Sequence, residues 1–382
     1  MANWRAPDTV SAFAANPLAK RADDGKVRAM NRWPIERINA WHAAQPWRVG
    51  CNFVPSTAIN QIEMWSDDSF DIETIARELG WARDLGFNAM RIYLHDRPWA
   101  RDPNGFKRRI DRVLHEADIR GIGALVVFFD DCWHEPTDGP QPAPRPGVHN
   151  SGWARSPGKQ RLLDRSSWGE LEAYVSDVVD AFARDRRVLA WDAYNEVTNI
   201  WMPSLSLSET DRTAAWAAIE AERPAQAAAA FDLMERTCAW IRARDPEQPV
   251  TVGVWNHPDD ELNDRLVALS DFISFHHYRS PDSLEGLIER LLIHDRPLWC
   301  TEYLSRRDGA LFETHLPIFK RHRIAAFNWG LVDGKSQTKF AWTDPPGIAE
   351  ADPWFHDILH ANGVPYAPDE VAFMKKLLLE TE

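Results

Sequence analysis

The run VLAWDAY, residues 188–194, leads directly into Asn195 and Glu196, and its reading decides the fold. It is a short apolar stretch with β-branched and aromatic residues, so it reads as a buried strand. A carboxylate at the mouth of such a strand is paired, solvated or employed. Glu196 therefore raises the question of a partner elsewhere in the chain.

On either side lie stretches of helical period, SWGELEAYVSDVVDAFARD (167–185) and AQAAAAFDLMERTCAWIRARD (225–245). The same alternation runs through the chain. Strand-like runs fall at 47–53, 88–94, 122–129, 188–194, 249–255, 272–278, 297–303 and 324–330. Helical segments at 71–86, 106–121, 282–295 and 311–322 separate others of them. Eight strands alternating with helices predict the α/β class and a single (β/α)8 TIM barrel. The rival is a doubly wound open sheet, but neither GxGxxG nor GxxxxGK[ST] follows the first strand.

Residues 1–46 precede the first strand, and PIERINAWHAAQ within them reads as a helix capping the barrel floor. No repeat or low-complexity linker divides the rest, so 47–382 reads as one barrel with a C-terminal extension. The long irregular segments follow the third strand (133–160), the fourth (199–212) and the eighth (332–354). Loops of that length in a compact domain usually serve function, and a barrel gathers them on its C-terminal face.

Composition narrows the function classes. With 44 basic against 57 acidic residues the formal charge is −13, which disfavours nucleic acid and anionic membrane as partners. The longest apolar run, GIGALVVFF, is too short to span a bilayer, and the first thirty residues do not resemble a leader, so a cytoplasmic location is expected. Cys51, Cys132, Cys238 and Cys300 form no CxxC pair and read as buried free thiols. There are 19 tryptophans, several in polar or Pro-rich surroundings (Trp133, Trp153, Trp201, Trp255, Trp329, Trp342, Trp354). Indole faces stack on sugar rings and the indole N–H donates to hydroxyls, which suits a carbohydrate partner.

Polar residues at strand ends point into a barrel mouth. The second strand offers Arg91, then His95 and Asp96. The third offers Asp130, Asp131 and Trp133, and the fourth Asn195 and Glu196. The sixth supplies His276, His277 and Tyr278, the seventh Glu302 and the eighth Trp329. Glu196 and Glu302 would face each other across the axis. Two such carboxylates are the minimal equipment for glycosidic cleavage, ~5 Å apart in retaining enzymes and farther apart in inverting ones. Arg91 and Tyr278 are placed to keep Glu302 anionic. Glu196, facing that charge and aromatic walls, is expected to have a raised pKa and to carry the proton. Side chains alternate along a strand, so only one of His276 and His277 faces inward, and His276 shares its face with Tyr278. His276, Asp131 and His134 hint at a metal, but no HxH or HExxH spacing supports one, so neither metal nor cofactor is expected.

Asn–Glu ending strand four, Glu ending strand seven, Arg ending strand two, His-x-Tyr ending strand six and Trp ending strand eight together resemble glycoside hydrolase clan A. Within it the chain is most similar to the family 5 cellulase-type enzymes and their unclassified relatives, over roughly residues 47 to 330. The resemblance implies a retaining double displacement on a β-type (equatorial) linkage, with Glu196 as acid/base and Glu302 as nucleophile. It also implies that Arg91, Asn195, His276, Tyr278 and Trp329 line the subsite of the cleaved sugar; Trp133, as a stacking indole, and Asp131, where the family's usual histidine is replaced, are further candidate sugar contacts. Two departures stand out: Val197 follows the acid/base where family 5 usually has proline, and FFDDCWH replaces the usual histidine after strand three. Alternatives are a transglycosylase or arabinofuranosidase of the same clan, a metal-dependent barrel hydrolase and a non-catalytic carbohydrate-binding barrel. The long loops would wall the cleft into a pocket suited to oligosaccharides.

Overall fold

The structure, a computed structural model, describes residues 32–199, 209–255 and 260–379. Residues 1–31 of the expected N-terminal cap, and Trp201 in the loop after the fourth strand, lie outside the described residues. The strands are β1 (Val49–Asn52), β2 (Ala89–Tyr93), β3 (Gly123–Asp130), β4 (Val188–Asn195), β5 (Val250–Thr251), β6 (Ile273–His276), β7 (Leu298–Tyr303) and β8 (Ala325–Trp329). All pair in parallel, in the order β5-β4-β3-β2-β1-β8-β7-β6. The ring closes through Val254, which accepts from His276 N at 2.9 Å and whose own N–H donates to Ser274 O at 2.8 Å. The chain folds as a single (β/α)8 TIM barrel. The expected fifth strand, 249–255, is regular only over Val250–Thr251 and continues as that one bridge.

Local signals explain the helix starts. Asp71 caps Ile72–Asp84 by accepting from Thr74 N at 3.0 Å, and Asp102 caps Pro103–Asp118 by accepting from Gly105 N at 2.8 Å. In the second case Pro103 sits where its missing N–H is not needed. The helix after β4 runs Glu209–Ala243, starting well before the expected 225. Its added turns are rich in alanine, the strongest helix former, and they carry the helix through Pro224.

Two apolar clusters shape the barrel itself. One large cluster fills the space between strands and helices. A second seals the N-terminal end of the barrel with Leu125, Leu189, Phe272, Trp299 and Phe327, joined by Trp33 and Ile38. From helix Ile35–Ala43, Trp41 stacks on Phe272 at 6.0 Å and on Trp299 at 5.7 Å. The floor is thus closed by aromatic rings, so polar side chains inside the barrel gather towards the opposite mouth. Residues Trp33–Glu382 form one compact unit. Among the described residues no helix is long and apolar enough to cross a membrane.

Gly50 pairs with both Ala89 and Phe327, and a Cβ placed on it would lie 1.8 Å from the Ala89 carbonyl oxygen. Backbone, not a flexible side chain, blocks that space. Gly50→Ala must therefore push β1 off β2, with an expected loss of at least ~3 kcal/mol and a Tm several degrees lower. A Tm within one degree of the parent would refute this close approach.

Candidate active site

The mouth is organised by Arg91, which is fully buried at the centre of β2. Its guanidinium donates from Nη1 to Glu302 Oε1 at 2.8 Å and to Asn52 Oδ1 at 3.0 Å. Nη2 donates to Asp192 Oδ2 and to Asn195 Oδ1, each at 2.7 Å, and Nε reaches Asp192 Oδ2 at 3.2 Å. Burial opposes its charge, but the Tyr93 hydroxyl, Asp192 and Glu302 outweigh burial and hold it firmly protonated. Asp192 in turn is raised by burial, only partly offset by Arg91.

Glu302 receives three donors. Arg91 and the Tyr93 hydroxyl, both at 2.8 Å, meet Oε1, and the Tyr278 hydroxyl meets Oε2 at 2.7 Å. A guanidinium and two phenols suit a carboxylate. Its orientation depends on an irregularity in β7. Trp299 packs into the barrel floor, and strict alternation would turn the side chain three residues later outwards. The pairing slips between Cys300 and Tyr303, and also between Phe275 and His276, so that Glu302 stands opposite His276. Such slips re-aim side chains at the rims of barrels.

Glu196 sits across from it with a different set. His276 Nδ1 lies 2.7 Å from Oε1, while the Cys132 thiol, at 3.1 Å, and the Asn199 amide meet Oε2. One carboxylate oxygen of Glu196, one of Glu302 and a ring nitrogen of His276 all lie within 4.8 Å of one another. His276 Nε2 stands 3.5 Å from Glu302 Oε1 without a hydrogen bond to it, so the imidazole lies between the two acids. Burial alone would push the Glu196 carboxyl up, but its bond to His276, that ring's charge, Cys132 and Asn199 hold it below the ordinary carboxylate range. This corrects the expectation of a raised value: donors on both oxygens outweigh the neighbouring acid. Glu196 also has φ 44°, a left-handed backbone rare outside glycine, and Trp133 (71°), Thr198 (72°) and Leu304 (79°) share that conformation at neighbouring strand ends.

His276, Glu196 and Glu302 have donor atoms close enough to surround a cation. Every oxygen of the two acids already accepts from a protein donor, and Arg91 sits against Glu302. That environment suits hydrogen-bonded carboxylates better than a divalent ion, whose charge the guanidinium would oppose.

The other expected site residues divide into those the fold brings to the mouth and those it does not. Asn195 belongs there, its Oδ1 taken by Arg91 and its Nδ2 donating to Asp130 Oδ1 at 3.1 Å. Trp329 ends β8 edge-on to Tyr93 at 5.8 Å and to Trp153 at 5.4 Å, forming an aromatic wall, with Trp133 and Tyr278 half-buried against the same cluster. Asp131 is turned away from the mouth. Its Oδ1 accepts from Arg155 and from the Tyr194 hydroxyl, both at 2.9 Å, and its Oδ2 from Thr198 N at 2.8 Å. Buried and fully partnered, Asp131 braces the loops and is not placed to hold a sugar. His95 and Asp96 also anchor loops, through Arg155 O and Arg161. Asn52, Tyr93, Cys132, Asp192 and Asn199 were missed from the sequence. Only Tyr93 carried a local signal, since it lies two residues beyond Arg91 on the same strand face.

The loops after β3 and β8 close one side of the mouth by packing on each other. Asn150 N donates to Ser336 O at 2.9 Å, Gln337 Nε2 to Arg145 O at 2.7 Å, and His149 Nδ1 lies 2.8 Å from Phe340 O. Trp342 of the second loop meets Tyr278 edge-on at 5.3 Å.

No protein-family model and no curated protein matches this sequence. Solved structures do match its fold. GH5_18 from Streptomyces cattleya, solved in complex with GlcNAc, has a TM-score of 0.57 at 15% identity over 88% of this chain and 81% of its own. The β-mannanase of the blue mussel Mytilus edulis has a TM-score of 0.53 at 15% identity over 88% and 92%. The glycoside hydrolase family 5 mannosidase of Rhizomucor miehei gives 0.53 at 13% over 88% and 94%. At these identities the likeness is one of fold.

Behind Trp329 lies a small void lined by Tyr93, Asn150, Trp153, Thr338 and Asp357. Asp357 Oδ1 accepts from the Thr338 hydroxyl at 2.7 Å, Oδ2 has no partner, and burial pushes this carboxyl up to about 7. A folded-state value above the unfolded one contributes stability that is complete below the unfolded value, near ~4, and is lost as pH rises through the folded value. Asp357→Asn removes the titration and keeps an acceptor for Thr338. Its Tm relative to the parent should therefore be several degrees more favourable at pH 8.5 than at pH 5. A constant offset across that range would show that Asp357 does not titrate with folding.

Proposed function

We propose that this chain is a retaining glycoside hydrolase cleaving a β-type (equatorial) linkage in oligosaccharides. The observation that carries the reading is the close pair of Glu196 and Glu302, with oxygens within 4.8 Å, each in a different donor environment. That proximity supports the short separation, ~5 Å, of nucleophilic catalysis over the wider gap that inverting enzymes keep for water.

In this reading Glu302, supported by Arg91, Tyr93 and Tyr278, attacks the anomeric carbon. Glu196 protonates the departing oxygen and then takes a proton from the water that resolves the glycosyl-enzyme. Arg91 keeps Glu302 aimed and charged. As negative charge leaves Glu302 in the first step, Tyr278 and Tyr93 hold both of its oxygens in place. Asn195, locked between Arg91 and Asp130, presents the edge of its amide at the mouth beside the reacting sugar. Trp329, backed edge-on by Tyr93 and Trp153, offers an apolar wall for the ring, and the packed loops after β3 and β8 favour a pocket over an open groove. β-Mannosides and β-glucosides are the first substrates to test, because a mannosidase, a mannanase and a β-glucosidase share the fold. A transglycosylase or an arabinofuranosidase would use the same two acids.

Glu302→Ala and Glu196→Ala are expected to lose at least ~10³-fold in turnover on aryl glycosides while keeping the parent Tm within a few degrees. Near-parental rates in either variant would remove the mechanism, and sugar binding without turnover in the parent would favour a binding barrel.

Glu196 is held below the ordinary carboxylate range, so it loses its proton early as pH rises. The alkaline limb of kcat/KM, which reports the free enzyme, should therefore fall in the acid range and not near neutrality. In Glu196→Gln that limb should vanish for a substrate whose good leaving group needs no proton, with the glycosylation step largely spared. Equal losses on good and poor leaving groups, with the limb retained, would show that Glu196 is not the acid.

A further inference from the structure

The sulfur at position 132 occupies an unusual place beside Glu196. It follows β3 in the stretch DDCWH, where Cys132 N donates to Asp130 Oδ1 at 2.8 Å and Trp133 turns away at φ 71°. Two side-chain amides approach its Sγ, Asn195 Nδ2 at 3.6 Å and Asn199 Nδ2 at 3.7 Å. With N–H groups directed at its lone pairs, the thiol's own hydrogen is left for the remaining neighbour, Glu196 Oε2 at 3.1 Å. The thiol is buried, and burial, with Asp130, Glu196 and Glu302 around it, pushes it well above the ordinary thiol range. It therefore remains a donor and does not become a thiolate nucleophile.

We propose that Cys132 is a positioning residue for Glu196, its S–H donating to Oε2 so that this oxygen is held against the loop after β3 and the carboxylate form is favoured. The proposal rests on the reading of Glu196 as the acid/base. The titratable groups facing Glu196 are His276 from β6, Glu302 from β7, Tyr278 after β6 and Cys132 after β3, with Asp130 behind the thiol. Cys132 and Asn199 act on Oε2, whereas His276 acts on Oε1. Removing the thiol takes away one donor to the carboxylate form, so Glu196 should hold its proton to higher pH. Serine restores an O–H donor at the same place.

The test reads Glu196 directly, by carboxyl ¹³C NMR titration of full-length protein labelled at glutamate, with Glu196→Gln identifying the resonance. Cys132→Ala should move the Glu196 midpoint up by ~0.5 to 1 pH unit, the scale of one hydrogen bond to a charged group, and Cys132→Ser should return it to within ~0.3 unit of the parent. An unmoved midpoint in Cys132→Ala, or an equal upward shift in both variants, overturns the proposal. In parallel, the alkaline limb of kcat/KM on an aryl glycoside should follow the NMR midpoint in the alanine variant. If the midpoint moves and the limb does not, the coupling stands and the assignment of Glu196 as the acid fails. Iodoacetamide at pH 7.5 should leave Cys132 unalkylated in the folded parent. Rapid alkylation there would show a thiolate, which cannot donate, and would also refute the proposal.

Discussion

A single buried guanidinium holds the mouth of this barrel together. Arg91 touches side chains contributed by β1, β2, β4 and β7, so it ties elements that are far apart in the chain at one point. Its charge is tolerable without water because Asp192 and Glu302 share it and three more oxygens satisfy its remaining hydrogens. Removing it would strand two carboxylates in a dry place, which is why the group has to be both the structural hub and the electrostatic partner of Glu302. Asp192 takes the permanent share of the pairing. Glu302 can therefore change its charge during a reaction without leaving Arg91 unpaired.

The two acids differ in their donors more than in their burial. Glu302 faces a fixed cation and two phenols, an arrangement that favours a stationary negative charge. Glu196 faces an imidazole, whose ring nitrogens can exchange a hydrogen, on one oxygen and a thiol and an amide on the other. In the reading of Glu196 as the acid/base proposed above, such neighbours suit a group that gives and retakes a proton. The left-handed backbone of Glu196 and Thr198 belongs to the same design: the turn after β4 brings Glu196, Asn199 and the braced Asp131–Thr198 contact into one compact corner. Arg155 and Asp131, which look like mouth residues by position, serve to keep that corner rigid.

The aromatic content of the chain divides between the two ends of the barrel. At the floor, Trp41, Phe272 and Trp299 exclude water and leave the interior no exit below. At the mouth, Tyr93, Trp153 and Trp329 lie edge-on to one another, and the Tyr93 hydroxyl reaches Glu302. Trp153 is itself buried, with its indole N–H donating to Asp130 Oδ2 at 2.7 Å. Much of the tryptophan excess thus supports the wall from behind, and fewer indoles stand free to meet a ligand than their Pro-rich surroundings implied.

The sequence by itself determined the alternation of strands and helices, and hence the barrel, because apolar runs of strand length separated by segments of helical period admit few other closed arrangements. It also pointed to Asn195, Glu196, His276, Tyr278, Glu302 and Trp329 at strand ends, since the C-terminal ends of parallel strands converge on one mouth, whereas Arg91, expected to end the second strand, lies at the centre of β2. What the linear pattern could not contain was anything set by pairing between distant strands. Glu302 faces inwards only because the register of β7 slips beside β6 and β8, a feature invisible in LWCTEY. Asp131, the same residue type as its neighbour Asp130, is turned to the scaffold because Arg155, Tyr194 and Thr198 converge on it from separate segments. Cys132 read as an inert buried thiol until the fold brought Asn195, Asn199 and Glu196 around its sulfur. The proton affinity of Glu196 likewise followed from donors up to 80 residues away in the chain. Periodicity reports which face of an element is buried; hydrogen-bond partners and charge states depend on which elements meet, and only the closed barrel decides that.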